Sequence, residues 1–282
     1  MLPSLHNGIS ALKTITNGLQ ALGNNIANVS SLGYKSSRVH YSDSFYSHLN
    51  KAEAGVDGNS SNNLNSLGSG VHVSSISSNF NQGVIENTGM DLDLAIEGQA
   101  LPNAGGFFEV ADPNSGELFY TRAGAFESTP EGFVVTRDQY RFVLQSSEGG
   151  AVRVGVDQGD NLLARNIDQN GRVSLIVTDA EGVDQIRNRG QIKLSNFHSP
   201  QYLRRAGNGF YENANGTAGM IDNTIPNVGS NGKIKQFALE LSNVDLTNEF
   251  AMMISHQRSF QAGSRVVTTS DAILSEAVNL KR

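Results

Sequence analysis

The sequence contains no cysteine among its 282 residues, and this absence excludes several kinds of chemistry. Disulfides, thiolate zinc sites and cysteine nucleophiles are all ruled out. Such a chain is suited to export, since its folding does not depend on oxidation. Charged residues (17%) and hydrophobic residues (38%) are both scarce for a compact enzyme. Glycine, asparagine and serine take their place, which favours turns, extended loops and sheets over a large helical core.

Long apolar runs and a surplus of positive charge are also lacking. No stretch approaches the roughly 20 apolar residues of a membrane span, so no membrane insertion is expected. The start, MLPSLHNGIS, has neither a basic region nor a continuous apolar run, so a cleavable secretory signal is not expected. The net charge of -6 argues against a nucleic-acid partner. These features predict a chain that is cytosolic or exported by a route that needs no such signal.

What the sequence does contain is an amphipathic pattern at each end. Apolar residues recur at alternating three- and four-residue steps over residues 2–29 and again over residues 246–278. Spacing of this kind predicts two long helices with a near-heptad stripe. Ser242, Asn243 or Asp245 could cap the second helix, and Glu249 sits in its first turns. The candidate assembly residues on these stripes are Leu5, Ile9, Leu12, Leu19, Ile26, Leu246, Phe250, Met253, Phe260, Val267, Leu274 and Val278.

Two interpretations of these stripes remain open. Each stripe could pack against the core of its own chain, as in any globular protein. However, a C-terminal helix of about 36 residues would be about 54 Å long, which exceeds what the small middle part could cover. The alternative is that the two helices pack on each other and then on other copies of the chain.

The residues between the helices favour short strands. Alternating or β-branched runs are broken by turn residues, and DPNSG (112–116) and DQNG (168–171) are typical of hairpin turns. The fold class is therefore predicted as α+β: terminal helices paired as a coiled-coil-like inner domain, and an all-β antiparallel middle domain. Residues 49–70 have almost no large apolar side chains and are interpreted as a linker that is mobile in the isolated chain. The predicted divisions are an N-terminal helix (1–35), an extended connection (36–75), a β-rich outer domain (76–204), a return connection (205–238) and a C-terminal helix (239–282).

Catalytic patterns are missing. There is no GxSxG, Walker A, HExxH or GxGxxG motif, and the six histidines are scattered, so His40 and His48 are interpreted as surface residues. Asp91 and Asp93 share a face of a predicted strand and could form a paired acid site, although a solvated strand edge is the simpler interpretation. No catalytic, metal or cofactor site is predicted.

Three segments, in order, resemble the bacterial flagellar rod and hook proteins. They are ALGNNIANVSSLGYKSSRVHYSDSF at the start, FNQGVIENTGMDLDLAIEG with FYTRAGAFESTPEGFVV in the middle, and the stretch from LELSNVDLTNEF to the end. The resemblance implies a structural subunit that is exported unfolded through the flagellar type III apparatus and stacks helically into a hollow tube. It also implies that the helices line the tube and that the β-rich domain lies outside. The implied partners are copies of the chain, adjacent rod, hook or junction proteins, and a cap protein.

The resemblance gives a role to the asparagine-rich stretch near the first helix. Asparagine and glycine are poor helix formers, so their presence inside an amphipathic pattern requires a reason. The asparagine amides are expected to bond neighbouring backbone or subunits, and Gly23 and Gly33 to permit close approach and a helix stop. In a channel lining, an amide would also bind transiting chains less than leucine would. The signature residues are Gly23, Asn24, Asn25, Asn28, Gly33, Tyr34 and Lys35.

Within this family the sequence favours a hook subunit, because the tail and the early GYKSSRVHYSDSF are most similar to hook proteins. The alternative is a distal-rod subunit, since no room exists for the extra outer domain of larger hook proteins. QALPNAG (99–105) departs from the family pattern and could alter a lateral contact. Two further classes, an extracellular scaffold with the same termini and a β-rich enzyme, are less well supported.

Overall fold

The computed structural model describes residues 2–50, 65–98, 106–155, 161–178, 183–221, 225–229 and 231–280. The chain divides into two compact units. The first unit holds residues 1–27, 37–77 and 245–282, and the second holds residues 28–36 and 78–244. The segment 99–105 and residues 51–64 of the predicted linker lie outside the described residues.

The first unit is built on two long helices, α1 (Leu2–Ala27) and α2 (Leu246–Asn279). Proline occurs in α1 only at position 3, in the first turn, where its missing N–H is tolerated. Asp245 caps α2, since its side chain accepts hydrogen bonds from the backbone N–H groups of Thr247 and Asn248. The helices pack on each other, which confirms the predicted pairing. None of the helices in the described ranges combines the length and apolarity that crossing a membrane requires.

A ribbon of strands completes the first unit. Its strands are β1 (Ser37–Asp43), β2 (Tyr46–Asn50), β3 (Asn65–Gly68) and β4 (Val71–Ser78). Strand β1 pairs with β4, and β2 pairs with β3. The two ladders are joined where the Ser44 N–H donates to Gly70 O (2.8 Å) and the Ser69 N–H donates to Phe45 O (3.0 Å). The range 36–75, predicted as an extended connection, therefore contains paired strands.

The second unit consists mainly of antiparallel strands. They are β5 (Ile85–Asn87), β6 (Leu94–Glu97), β7 (Phe107–Ala111), β8 (Leu118–Thr121), β9 (Phe126–Ser128), β10 (Val134–Thr136), β11 (Val143–Leu144), β12 (Asn161–Ile167), β13 (Arg172–Thr178), β14 (Asp184–Gln191), β15 (Leu194–Phe197), β16 (Arg204–Gly207), β17 (Phe210–Glu212), β18 (Met220–Ile221), β19 (Lys233–Gln236) and β20 (Ala238–Glu240). Two short 3₁₀ helices lie at Pro200–Tyr202 and Ala214–Gly216. The range 205–238, predicted as a return connection, thus carries strands of the β unit.

The largest sheet follows the order β16-β17-β8-β7-β11-β10-β9, with β15 paired to β7 and β18 paired to β15. A second sheet has the order β12-β13-β14, and β6–β19 and β5–β20 form two-stranded ladders. Both predicted hairpin turns are confirmed. The Gly116 N–H donates to Asp112 O between β7 and β8, and the Gly171 N–H donates to Asp168 O between β12 and β13. Together these elements confirm the predicted α+β fold.

Side chains that alternate along the strands form the core of the second unit. In β13, Val173, Leu175 and Val177 are fully buried, whereas the residues between them are not. They join a continuous apolar cluster that includes Phe108 and Leu144. An adjoining aromatic cluster contains Phe80, Phe107, Tyr120, Phe197 and Tyr211. Both clusters consist of residues of the second unit, so this unit has a core of its own.

Candidate assembly surfaces

The fully buried positions of α1 are small or polar residues with one exception, Leu22. They are Gly8, Thr14, Gly18, Leu22 and Asn25. A Cβ placed on Gly8 would lie 2.9 Å from Val267 Cγ2, and one on Gly18 would lie 2.8 Å from His256 Cε1. Glycine therefore lets α1 approach α2 closely at these positions.

The predicted apolar stripes are only partly used by this packing. Leu5, Leu12, Leu19, Ile26, Met253, Val267 and Leu274 are half-buried, whereas Ile9, Leu246, Phe250, Phe260 and Val278 are exposed. Further exposed apolar residues on or beside α2 were missed: Ile254, Val266, Ile273 and Leu280. Phe250 and Ile254 are one turn apart, so a search for a second apolar stripe would have found this pair. The helix pair thus carries large apolar side chains that its own unit leaves uncovered.

Asn25 joins three elements of the first unit. Its amide oxygen accepts a hydrogen bond from the Ser37 N–H (2.8 Å), and its amide nitrogen donates to Ser37 O (2.9 Å). The same nitrogen donates to Glu249 Oε2 (3.2 Å) in the first turn of α2. Asn25 and Glu249 are both buried. Asparagine suits this position because it presents a donor and an acceptor side by side, as a backbone edge does. The end of α1, the start of β1 and the start of α2 are held together in this way.

The other asparagines of the signature have different surroundings. Asn24 lies on the exposed side of α1. Asn28 is half-buried and its Oδ1 accepts a hydrogen bond from Ser31 Oγ (3.1 Å). The three asparagines of the motif therefore differ in burial, and Asn25 is the one that is fully buried.

The two signature glycines also differ. Gly23 lies inside α1, which continues to Ala27, and a Cβ at Gly23 would meet nothing within 4 Å. The expectations of a helix stop and of a close approach within this chain are therefore wrong for Gly23. Gly33 has φ +63°, and a Cβ there would lie 2.7 Å from Ala123 N. Glycine is required at position 33 both by its conformation and by the approach of neighbouring backbone.

Lys35 belongs to a buried group of charges in the second unit. Its Nζ lies 2.6 Å from Glu240 Oε1 and donates to Asn81 O (2.9 Å). Glu240 also contacts Arg122 Nη1 through Oε2 (3.3 Å) and accepts from the Gly83 N–H (2.8 Å). Lys35, Arg122 and Glu240 are almost completely buried, so two cations share one carboxylate away from water. We call these three residues the ion triad.

The ion triad changes the titration of its members. Burial lowers the pKa of Lys35 to about 8, and the charge of Arg122 acts in the same direction. Burial alone would raise the pKa of Glu240, but the charges of Arg122 and Lys35 outweigh it and hold that pKa below its ordinary value. The site therefore stabilises the carboxylate form of Glu240 and disfavours the charged form of Lys35.

Asn243 brings the C-terminal signature to the N-terminal one. Its Oδ1 accepts from the Ser36 N–H (2.8 Å), and its Nδ2 donates to Asn79 O (2.8 Å) and Asn81 O (3.0 Å). Its backbone N–H donates to Tyr34 O (3.3 Å). Asn243 is one of the three predicted caps of α2, but Asp245 caps that helix and the Asn243 side chain joins these segments. The sequence predicts the position of the motif that contains Asn243, but not these contacts.

The candidate acids have structural partners. Asp93 is buried, where its Oδ1 pairs with Arg137 (3.0 Å) and its Oδ2 accepts from Thr88 (2.7 Å). Asp91 pairs with Arg165 (2.9 Å). The interpretation of a solvated edge is therefore wrong for Asp93, because this side chain is buried. Its ion pair with Arg137 offsets the cost of burying the carboxylate. In the described ranges, His, Asp and Glu form no group of three or more that could hold a metal.

Two family models match this chain. One is described as the flagellar hook protein FlgE/F/G D1 domain and matches residues 95–175, and the other as the flagellar basal body rod FlgEFG protein C-terminal region and matches residues 235–280. The flagellar basal-body rod protein FlgG of Bacillus subtilis (strain 168) is 37% identical over 284 aligned positions, which cover 100% of both chains.

A single organism supplies both a rod and a hook relative. The flagellar basal-body rod protein FlgG of Borreliella burgdorferi is 30% identical over 100% of both chains. The flagellar hook protein FlgE of the same organism is 35% identical over 127 residues, which are 45% of this chain and 27% of that protein.

The matched family models and rod relatives identify a class of structural proteins and not of enzymes. The chain belongs to the flagellar rod and hook protein family, and the resemblance found in its sequence is confirmed. Proteins of this family are axial components of the bacterial flagellum that polymerise into a tube.

Proposed function

We propose that this chain is a distal-rod subunit of the flagellar basal body. The proposal rests on the extent of the sequence alignments, since two relatives named as rod proteins align with the whole of this chain. The hook relative shares a local segment only, and most of that protein has no counterpart here. The expectation of a hook subunit therefore gives way to its alternative.

The helix pair is the proposed assembly surface. Phe250 is 48% exposed and Ile254 is 52% exposed, although both are large apolar residues on a long helix. An apolar helix face of this kind gains free energy when a neighbour covers it, because apolar surface is removed from water. The candidate residues of the two stripes would accordingly divide their contacts between the partner helix of the same chain and the helices of adjacent subunits.

The signature segments have a different proposed role. Asn25 bonds α1, β1 and α2 within the first unit, and the ion triad with Asn243 bonds three segments within the second. These contacts are internal, so they are proposed to fix the conformation that assembles and not to touch neighbours themselves. Lining of the tube by asparagine amides stays a prediction for the exposed Asn24.

The proposed partners follow from this role. They are other copies of the chain, the adjacent rod, hook or junction proteins, the flagellar type III export apparatus and a cap protein. Export without a cleaved signal is part of the proposal. The chain contains no cysteine, so its folding after export would need no disulfide formation.

Electron microscopy of basal bodies from a strain that lacks this gene tests the proposal. The expected result is a rod cut short below the outer rings, with normal rods restored by a plasmid copy. A complete rod without a hook would overturn the proposal in favour of a hook subunit. Intact rods and hooks would also contradict it.

A further inference from the structure

Phe237 has a backbone conformation that is rare for its residue type. It lies between β19 and β20 with φ +62°, in the left-handed region. This region brings the Cβ too close to the following carbonyl oxygen, so glycine and occasionally asparagine adopt it, whereas a bulky residue there is an outlier. Phe237 is therefore a strained residue at a position where glycine would be relaxed.

The surrounding backbone fixes this conformation. Strand β19 pairs with β6 and β20 pairs with β5, so the chain changes partner at Phe237. The carbonyl of Phe237 accepts from the Thr88 N–H (2.8 Å), and the Ala238 N–H donates to Asp93 O (3.3 Å). Just before the joint, Gln236 Nε2 donates to Asp91 O (2.7 Å). Any residue at position 237 must take the left-handed conformation because the ladders on both sides are anchored.

Burial within the chain covers only part of the Phe237 side chain. Phe237 is 44% exposed, so a large part of its apolar surface stays in water. Two other apolar residues on the segment opposite β20 are also exposed, namely Val84 (69%) and Met90 (54%). The Leu241 N–H donates to Val84 O, so Val84 and Phe237 flank the β5–β20 ladder at its two ends. This ladder therefore carries exposed apolar residues at both ends.

We propose that Phe237 is an assembly contact whose ring is covered by a second copy of this chain. The proposal rests on the proposed function, because it assigns one contact within the polymer. A second copy is the fitting partner because members of this family polymerise and because α2 offers exposed apolar residues such as Phe250 and Ile254. The free energy gained by covering the ring in the polymer then offsets the cost of the strained backbone.

Two variants of the full-length purified chain test this inference: Phe237→Gly removes both ring and strain, and Phe237→Tyr keeps both. We expect Phe237→Gly to unfold at a urea concentration equal to or above that of the unmodified chain, since relief of strain offsets the greater freedom of glycine. We expect its critical concentration for polymerisation, measured by sedimentation, to rise at least tenfold. Phe237→Tyr should stay within twofold of the unmodified chain.

Each other outcome has a distinct meaning. Polymerisation of Phe237→Gly at the unmodified critical concentration would overturn the inference and leave the proposed function intact. A Phe237→Gly chain that unfolds more readily would also overturn it, because the ring would then serve its own subunit. Failure of the unmodified chain to polymerise under any condition would contradict the proposed function itself.

Discussion

Replacing Lys35 by methionine removes a buried charge that the structure marks as surplus. The ion triad holds two cations and one carboxylate, so its net charge is positive. In Lys35→Met the pair of Arg122 and Glu240 remains balanced, and Glu240 keeps the hydrogen bond from the Gly83 N–H. The carbonyl of Asn81 keeps the hydrogen bond from Asn243. No buried polar group that the lysine contacted is thus left without a partner.

The magnitude follows from the pKa of Lys35. Its lowering from 10.5 to about 8 corresponds to a penalty of roughly 3 kcal/mol for the charged form in the folded state. At pH 7 we expect Lys35→Met to be as stable as the unmodified chain or more stable, by at most about 3 kcal/mol. Glu240→Gln should instead lose about 3–5 kcal/mol, because it leaves two buried cations without their carboxylate.

The same pKa predicts a pH dependence with a definite sign. Between pH 8 and 10.5 the lysine is protonated in the unfolded chain but increasingly neutral in the folded one, so the unfolded state binds more protons. Stability therefore rises with pH in this window and is lost as pH falls back through 8. The difference between the unmodified chain and Lys35→Met isolates this effect, because other titrating groups contribute equally to both.

Urea unfolding followed by circular dichroism, with hydrogen exchange at β7 as a probe of the second unit, measures both effects. A Lys35→Met chain that is less stable than the unmodified chain at pH 7 would refute the reasoning. The reasoning would also be refuted if the unmodified chain lost stability relative to Lys35→Met between pH 8 and 10.5.

Three further predictions concern the signature and the helices. Asn25→Leu should lose about 1–3 kcal/mol of unfolding free energy in urea, since its buried polar partners lose their hydrogen bonds. The variant should be secreted at normal levels but fail to assemble into filaments. Normal filament growth would contradict this prediction. Gly33→Ala should lower the free energy of unfolding by about 1–2 kcal/mol, because position 33 has a positive φ and close backbone neighbours. Gly23→Ala should raise it by up to about 1 kcal/mol, because alanine favours the helix and its Cβ meets no neighbour. Phe250→Ser should raise the critical concentration for polymerisation at least tenfold and leave the urea unfolding midpoint unchanged. The control is Gln257→Ser, at an exposed polar position of the same helix, which should change neither quantity.

The helices, the turns and the alternating strands could be predicted because their signals are local. Helical spacing, the cap at Asp245 and the Asn170-Gly171 turn each depend on residues close together in sequence. The alternating run GVHVSSISSNF (70–80) predicts a strand and contains β4, whereas the other strands in 36–75 and 205–238 are short and were not predicted. Some of them depend on distant partners. Strand β19, for example, pairs with β6 more than a hundred residues away.

Residues of the candidate site could be predicted from the sequence, but their contacts could not. The motif containing Asn25 and Lys35 could be marked from the sequence, yet their partners Glu249 and Glu240 lie more than 200 residues away. The strain at Phe237 had no signal at all, because it results from two ladders that meet at that residue. Contacts of this kind depend on the tertiary arrangement and not on local pattern.

Cryo-electron microscopy of isolated basal bodies tests the central claim most directly, since it locates the chain and shows what covers its helices. The account predicts density for this chain in the distal rod, with α1 and α2 innermost and with Phe250 and Ile254 buried against neighbouring subunits. Density for this chain in the hook, or α2 with these two side chains facing open solvent in the assembled tube, would contradict it.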